Sequence, residues 1–263
     1  MSSSGLLSQG AGTVQDRLVE PAPVPSASAS DDKRTFVQRL FSRIASRYDL
    51  FNRLASLGLD QRWRRQALAF GGVEPDQRIL DVCTGTGDLA LLCARTQQGT
   101  GVVIGSDLNR DMLTQASRKQ RATGQTVSWC QADAQALPFP DGSFDRVLIG
   151  FSTRNLSDLT AGLREMVRIL RPEGRLVILE TGYPSHPLLR MGYQLFLFTV
   201  ARVIGLVLTG RVWPFTYLAR SVRGFITPQQ MCERLERFRT RVHYIPLSNG
   251  LSSLYVATKT AVP

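Results

Sequence analysis

The sequence predicts an α/β fold: a doubly wound, mostly parallel seven-stranded sheet, with a helical cap before it and a helical insertion ahead of its last two strands. Three observations predict it. Short apolar runs alternate with helix-patterned segments from about residue 78 to 182. The first run enters a glycine turn, "DVCTGTGD", that opens a helix. The chain then ends in two apolar strands joined through Ser-Asn-Gly, the pattern of an antiparallel hairpin at a sheet edge.

Residues 1–32 are rich in Ser, Ala and Pro and poor in aromatics. Such a composition cannot bury a core, so a disordered tail is expected there, with one domain over 33–263. The tail lacks the apolar run of a secretory signal. As an organelle transit peptide it is weak, because Asp16 and Glu20 interrupt it and Arg17 is its lone basic residue.

From Lys33 the apolar residues Phe36, Val37, Leu40, Phe41, Ile44 and Tyr48 recur at helical spacing, with Arg39, Arg43 and Arg47 on another face. A second helical stretch, Gln61 to Phe70, ends at the Gly71-Gly72 stop. Residues 33–72 thus form a cap. Inside it, "RYDLFNRLASLGLDQRW" (47–63) threads aromatics and leucines through arginines. Its leucines and Trp63 are expected to pack the cap, and its arginines to face outward. Tyr48, Asp49 and Asn52 are the polar groups able to turn inward, although Tyr48 also fits as the plain end of the apolar stripe.

The alternation follows. "RILDVC" leads into "TGTGDLALLCAR", "GVVIGSDL" into "RDMLTQASRKQ", "VSWCQAD" forms a third strand, "FDRVLIGF" a fourth, and "GRLVILE" a fifth after the helix "LTAGLREMVRIL". Residues 183–232 then read as an apolar, basic insertion. From Thr181 to Cys232 there is no Asp or Glu, yet there are five arginines. Its run "LFLFTVARVIGLVL" is too short to span a bilayer, which leaves a substrate-cap helix, an interfacial helix or a buried core helix.

A 43% hydrophobic content is ordinary for a globular core, but a formal charge of +11 implies an anionic partner. Residues 33–65 alone carry nine basic side chains against Asp49 and Asp60. Two basic, apolar segments around the sheet favour peripheral docking on an anionic membrane. No nucleic acid is expected, since no RNA-binding motif accompanies the charge. Four scattered cysteines, without a C-x-x-C and with two histidines in the chain, exclude a zinc site and a disulfide framework and fit a reducing cytoplasm. Cys83 and Cys93 read as small buried hydrophobes. No metal is expected.

The glycine turn brings backbone and helix N-terminal amides close to a ligand. The third glycine of a dinucleotide fingerprint is missing, and Asp88 beside a pyrophosphate would be repulsive, which disfavours NAD. Twenty residues beyond Gly87, Asp107 ends the second strand, where a carboxylate can accept from ribose hydroxyls. Asp133 follows the third strand, in reach of an adenine amino group. Each aspartate alone suits a cap or turn. Their common place, after successive strands at the edge where open α/β sheets bind ligands, makes them a set.

Asp-x-x-x-Gly-x-Gly, Asp107 and "DAQALPFPDGSFD" resemble the motifs of class I S-adenosylmethionine-dependent methyltransferases, which have a Rossmann-like sheet. The resemblance implies S-adenosylmethionine as cofactor and Asp81, Gly85, Thr86, Gly87, Asp107, Leu108, Asp133, Ala134 and Gly150 as its site. Three further stretches, "YDLFNRLASLGLDQRW", "GFSTRNLSD" and "RILRPEGRLVILETGYP", are similar to segments of the ubiquinone/menaquinone biosynthesis C-methyltransferase (UbiE/MenG) family. "TYLARSVRGF" and the chain's ending extend the likeness from about Phe36 to Lys259, and the ending is nearer the naphthoquinol branch.

That family methylates a ring carbon of a polyprenylated quinol, so a lipophilic quinol substrate is implied, with Tyr48, Asn52, Arg154, Asn155 and Tyr217 at the acceptor. Carbon is a poor nucleophile until an adjacent phenolate pushes electron density onto it. A free phenol has a pKa of about 10, so the proton must be taken or the phenolate stabilised. Arg154 is the first candidate, acting electrostatically or ordering a water, with Tyr48 and Asn52 as helpers; a plain ion-pair or capping arginine is the competing reading. The family's residues differ here at Phe51, Asp60, Ser152, Thr153, Glu173, Thr181 and Gly182. These departures leave open a methyltransferase for a soluble phenolic metabolite, and a non-catalytic cofactor-binding scaffold is the reading from another class. The expected location is the cytoplasm with peripheral membrane contact, or an organelle stroma or matrix if the tail is a transit peptide. A homodimer stays open.

Overall fold

The computed structural model describes residues 30–261, apart from 183, 185, 200–202, 205 and 207–220. Strands β1 (Arg78–Val82), β2 (Val102–Asp107), β3 (Ser128–Gln131), β4 (Phe144–Gly150), β5 (Leu170–Thr181), β6 (Thr240–Leu247) and β7 (Ser252–Lys259) form one sheet. Their order is β3-β2-β1-β4-β5-β7-β6. The first five pair in parallel, while β7 inserts antiparallel between β5 and β6. The strand order reverses between β1 and β4, so the crevice for a ligand opens at their carboxyl ends. The terminal hairpin turns through Ser248–Gly250, with Asn249 at φ 57°.

Apolar residues on both faces of the central strands require a helical layer on each side. On one side Leu163, Met166 and Val167 of α6 (Leu159–Arg168) and Met231 and Leu235 of α8 (Pro228–Glu236) pack on Val147, Leu176 and Ile178. On the other, α3 (Leu59–Gly71) and α4 (Asp88–Gln97) place Trp63, Ala67, Leu68, Leu89 and Cys93 against Ile79, Leu148 and Val177. A further helix beside the parallel strands, α5, covers Arg110–Thr123. Asn109 caps α5, its side chain accepting from the amides of Asp111 and Met112.

The cap departs from its sequence pattern. Helix α1 (Ser30–Ile44) begins at Ser30, so the domain starts before residue 33, and 1–29 lie outside the described residues. The apolar stripe breaks at a 3₁₀ turn, Ala45–Arg47, and Tyr48 opens a new helix, α2 (Tyr48–Ala55), instead of closing α1. The second helical stretch runs from Leu59 rather than Gln61. Trp63 is buried as expected, but Leu50, Leu54 and Leu57 are 50%, 42% and 81% exposed. These leucines face solvent, while Phe51 takes the inward place. Arg64, the residue after this stretch, is buried as well.

The insertion contains α7 (Pro187–Phe198), with Leu188, Met191 and Leu195 well exposed. Tyr217 lies outside the described residues, as does most of "TVARVIGLVL". Among the described residues, no helix is long and apolar enough to cross a membrane.

Candidate active site

At the switch point the chain leaves β1 through Cys83 (φ 53°) and β4 through Phe151 (φ 57°). Both residues sit in the left-handed region just past their strand ends, and a cleft lined by Cys83 opens there. Cys83 packs against the core but also lines this cleft, so it is partly rather than fully buried; Cys93 is wholly buried, as expected. Burial pushes the Cys83 thiol well up, with Asp107 and Asp81 adding to the effect.

The glycine turn is held from beneath. Asp81 is 1% exposed and accepts from the Thr84 hydroxyl at 2.5 Å and the Ala90 amide at 3.0 Å. Burial pushes its carboxyl up to about 7, against those two hydrogen bonds and Arg64. Asp81 therefore shapes the turn and does not line the cleft. Gly87 does not line it either: its φ is +83°, and a Cβ there would stand 2.6 Å from the Trp129 ring. Gly85 (φ +58°) does face the cleft, with open space for 4 Å around the place a Cβ would take, and its amide donates to Asp107 Oδ2 at 2.9 Å. Thr86 and Gly150 line the same wall.

Asp107, Leu108, Asp133 and Ala134 line the cleft's other end, as the strand order demands. Asp107 also accepts from the Asn109 amide at 2.8 Å, and burial raises its carboxyl despite these amides. Asp133 pairs with Arg34 of α1 at 3.1 Å, so the cap closes over this end.

The glycine turn is also tied to α2. Thr86 donates to Asp49 at 2.5 Å, and Lys119 of α5 sits 2.6 Å from Asp49 and 2.5 Å from Asp88. Burial alone would raise the Asp88 carboxyl, but Arg64 and Lys119 bring it below its ordinary value. Asp49 thus turns to the turn and its lysine, not to the acceptor cavity.

A second cavity lies beside the first, mostly apolar, and Phe41, Tyr48, Arg64 and Asn155 line both. They mark the throat between them. Phe51, Asn52, Asp60 and Trp63 form the cap side, and Phe151, Arg154 and Thr181 the sheet side. Tyr48 stands edge-on to Phe41 with ring centroids 5.6 Å apart. Burial raises its phenol, with Asn52 and Arg154 acting the other way, so at neutral pH it is a hydrogen-bond donor and not a phenolate.

Arg154 sits in a 3₁₀ turn, Thr153–Asn155, directly after β4. Its guanidinium is ion-paired with Glu180 on the neighbouring strand β5 and donates to the Phe151 carbonyl at 2.7 Å. Glu180 also accepts from the Thr153 hydroxyl at 2.6 Å and the Thr181 amide at 2.7 Å. For Arg154 the sequence leaves a catalytic cation and a plain ion-pair residue both open; it is one half of a buried pair, set in the wall of the acceptor cavity. Tyr193 of α7 lines the same cavity, and burial raises its phenol, with Arg154 opposing.

Sequence reasoning missed Glu180, Tyr193 and Arg64. Glu180 had a signal, since it closes a strand at the same sheet edge that singled out Asp107. Of the residues departing from the family pattern, Phe51, Asp60 and Thr181 line the acceptor cavity and Ser152 the cleft. Glu173 does not: it sits at φ 63° near the start of β5, where glycine is the easier residue. Gly182 is fixed by packing, because a Cβ there would meet the Gly250 carbonyl at 2.2 Å.

Residues 27–259 match the model of the ubiE/COQ5 methyltransferase family. A demethylmenaquinone methyltransferase of Deinococcus radiodurans is 39% identical over 236 residues, covering 89% of this chain and 97% of the relative. A protein of the same name from Thermus thermophilus is 40% identical, over 84% of this chain and the whole relative. A ubiquinone/menaquinone biosynthesis C-methyltransferase of Hahella chejuensis is 34% identical over 87% of this chain and 93% of its own. Among solved structures, a SAM-dependent methyltransferase of Thermotoga maritima superposes with a TM-score of 0.59 at 18% identity, covering 84% of this chain and 99% of that one. One of Aquifex aeolicus gives 0.55, also at 18%, over 74% and 88%. These two likenesses concern the fold.

Proposed function

This chain belongs to the ubiE/COQ5 methyltransferase family and is an S-adenosylmethionine-dependent methyltransferase, and from that premise we propose that it methylates a ring carbon of a polyprenylated quinol, of the demethylmenaquinol type. The observation that carries the reading is the pair of joined cavities: a cleft with strand-end acids, and a more apolar chamber reached through the Tyr48–Arg64–Asn155 throat.

The residues present fit the cofactor. Gly85 gives close backbone approach, Asp107 and Asp133 keep acceptor capacity for ribose and adenine, and Leu108 and Ala134 supply apolar walls. When bound, the cofactor supplies an electrophilic methyl group. In the chamber, Tyr48 and Asn52 hydrogen-bond a quinol oxygen and orient the ring. Arg154, fixed by Glu180, places its positive charge beside that oxygen and favours its ionised form. The apolar walls exclude water and hold the ring at the throat, which supplies proximity and orientation.

The prenyl tail explains the cap's outer surface. Leu50 and Leu54 project from the helix whose inner face lines the chamber and Leu57 from the turn after it, with exposed Arg43, Arg47 and Arg53 nearby in sequence. Exposed leucines on α7 flank Tyr193. Apolar residues interleaved with arginines suit an anionic leaflet, where each basic side chain adds roughly 1 kcal/mol. The protein in this reading works as a peripheral enzyme on the cytoplasmic side of a membrane.

The test is a mass-spectrometric methylation assay offering prenylated demethylmenaquinol, demethylphylloquinol and a methoxy-benzoquinol side by side. Carbon methylation of a prenylated quinol, with demethylmenaquinol preferred, is expected. Methylation of none of the three would overturn the reading.

A further inference from the structure

Arg64 is the unusual cation of this site. It reaches from α3 into the throat with a side chain only 9% exposed. A guanidinium has five N–H donors, and burying it is costly unless they are matched. Yet neither neighbouring carboxylate comes within hydrogen-bond distance. Asp60 Oδ2 stands 3.8 Å from Nε and Asp88 Oδ2 stands 4.0 Å from Nη2. The buried Nε has no hydrogen-bond partner among the described residues. The Phe151 ring, 5.4 Å from Cζ, backs the guanidinium without satisfying a donor. Arg154, in the chamber wall, differs in that its Nη1 meets Glu180 and the Phe151 carbonyl directly.

Asp107, Leu108 and Asp133 form one stretch of the cleft lining and Gly85, Thr86 and Gly150 another, the two meeting where the Gly85 amide donates to Asp107. Arg64 stands against Gly150, its Nη1 3.5 Å from the place a Cβ there would take. Two cations line the cleft, Arg34 and Arg64. Arg34 is matched by Asp133. Arg64 is therefore the cation that serves the glycine-turn stretch, with donors still to be met.

We propose that Arg64 binds the α-carboxylate of the cofactor's methionine end. This rests on the assignment of S-adenosylmethionine above, and it adds the recognition of one group of that ligand. A carboxylate presents two oxygens to the planar fork of a guanidinium, which two separated acids at 3.8 and 4.0 Å do not. Because Arg64 lines both cavities, an anchor there seats the amino-acid end of the ligand at the throat, beside the acceptor chamber. Asp60 and Asp88 then act as outer partners that keep the guanidinium aimed. Asp60 is itself held by Ser56 Oγ and Gln61 Nε2, each at 3.0 Å.

The experiment deletes the interaction from either side. Calorimetry would compare wild type, Arg64→Gln and Arg64→Lys against S-adenosylmethionine and its decarboxylated form, which differs by that one group. Wild type should bind the decarboxylated ligand about 10- to 100-fold more weakly, the range of a charge-assisted hydrogen bond. Arg64→Gln should lose affinity for S-adenosylmethionine by a similar factor and discriminate little between the two, with Arg64→Lys recovering part. Equal loss for both ligands in Arg64→Gln would mark a structural residue and overturn the assignment, as would wild-type indifference to the carboxylate. The wild-type comparison decides even if Arg64→Gln does not fold. Wild type that binds neither ligand would instead sink the cofactor assignment itself.

Discussion

Glu180→Gln keeps the volume of a buried carboxyl and removes its charge, which isolates the pairing with Arg154. In the native protein the Arg154 side chain is 6% exposed and that of Glu180 is 1% exposed. Removing one partner of such a buried pair costs about 3–5 kcal/mol, because the other charge is left uncompensated. The amide keeps an acceptor for the Thr153 hydroxyl or the Thr181 amide, and the Phe151 carbonyl still accepts from Arg154. A loss at the lower end, about 3 kcal/mol, is expected. For a chain of this size that lowers Tm by about 5–10 °C. Turnover should fall further, about 10²-fold, since a guanidinium displaced by an ångström no longer meets the quinol oxygen. Cofactor affinity should hold, because Glu180 does not line the cleft. Differential scanning fluorimetry, calorimetry with S-adenosylmethionine and turnover on a short-chain quinol supply the three readouts. Arg154→Met combined with Glu180→Gln separates stability from chemistry: the orphaned cation is gone, so Tm should largely recover while turnover stays low. A Glu180→Gln protein with Tm within about 2 °C of wild type and full turnover would refute the role given to the pair.

The two glycines of the turn should respond differently. Gly87→Ala places a Cβ 2.6 Å from Trp129 at φ +83° and should cost about 2–4 kcal/mol in urea titration, whereas Gly85→Ala, strained at φ +58° but unobstructed, should cost about 1 kcal/mol. Asp81 makes stability fall as pH rises. Its folded carboxyl holds its proton up to about 7 while the unfolded one releases it near 3.8, so through that window the native state binds more protons. Asp81→Asn should therefore gain Tm relative to wild type as pH rises from about 4 to 7; parallel curves would remove the assignment. Leu54→Glu with Leu57→Glu should weaken sedimentation with phosphatidylglycerol vesicles about tenfold or more, leaving turnover on a tail-less quinol intact. Unchanged vesicle binding would move the docking face elsewhere.

Much of the fold was legible because its signals are local. A short apolar run, a glycine after it and a helix-period segment next are each decided by near neighbours. Repeated along the chain, they leave few topologies open. Asp107 and Asp133 were legible for the same reason: position at a strand's carboxyl end is a sequence property, and the sheet carries all such ends to one edge. Arg154 was found that way too, but its partner was not. Glu180 lies 26 residues further on and becomes a neighbour because β5 pairs with β4 in a register that sets Leu179 opposite Gly150.

The cap shows the other limit. Periodicity in "RYDLFNRLASLGLDQRW" marks a helix with apolar and basic faces, but an apolar face can meet a core, a cavity or a membrane. The break at Ala45–Arg47 sets α2 so that Phe51 and Asn52 look into the chamber and Leu50 and Leu54 look out, with Leu57 exposed in the turn that follows. By itself the sequence determined the sheet, the glycine turn and the acids at its edge, since strand and helix patterns write those locally. Only the tertiary structure decided that Arg154 is a held cation, that Arg64 stands in the throat and that the leucines face outward. Each of these depends on where a second wall stands, and that wall is built from residues distant in the chain.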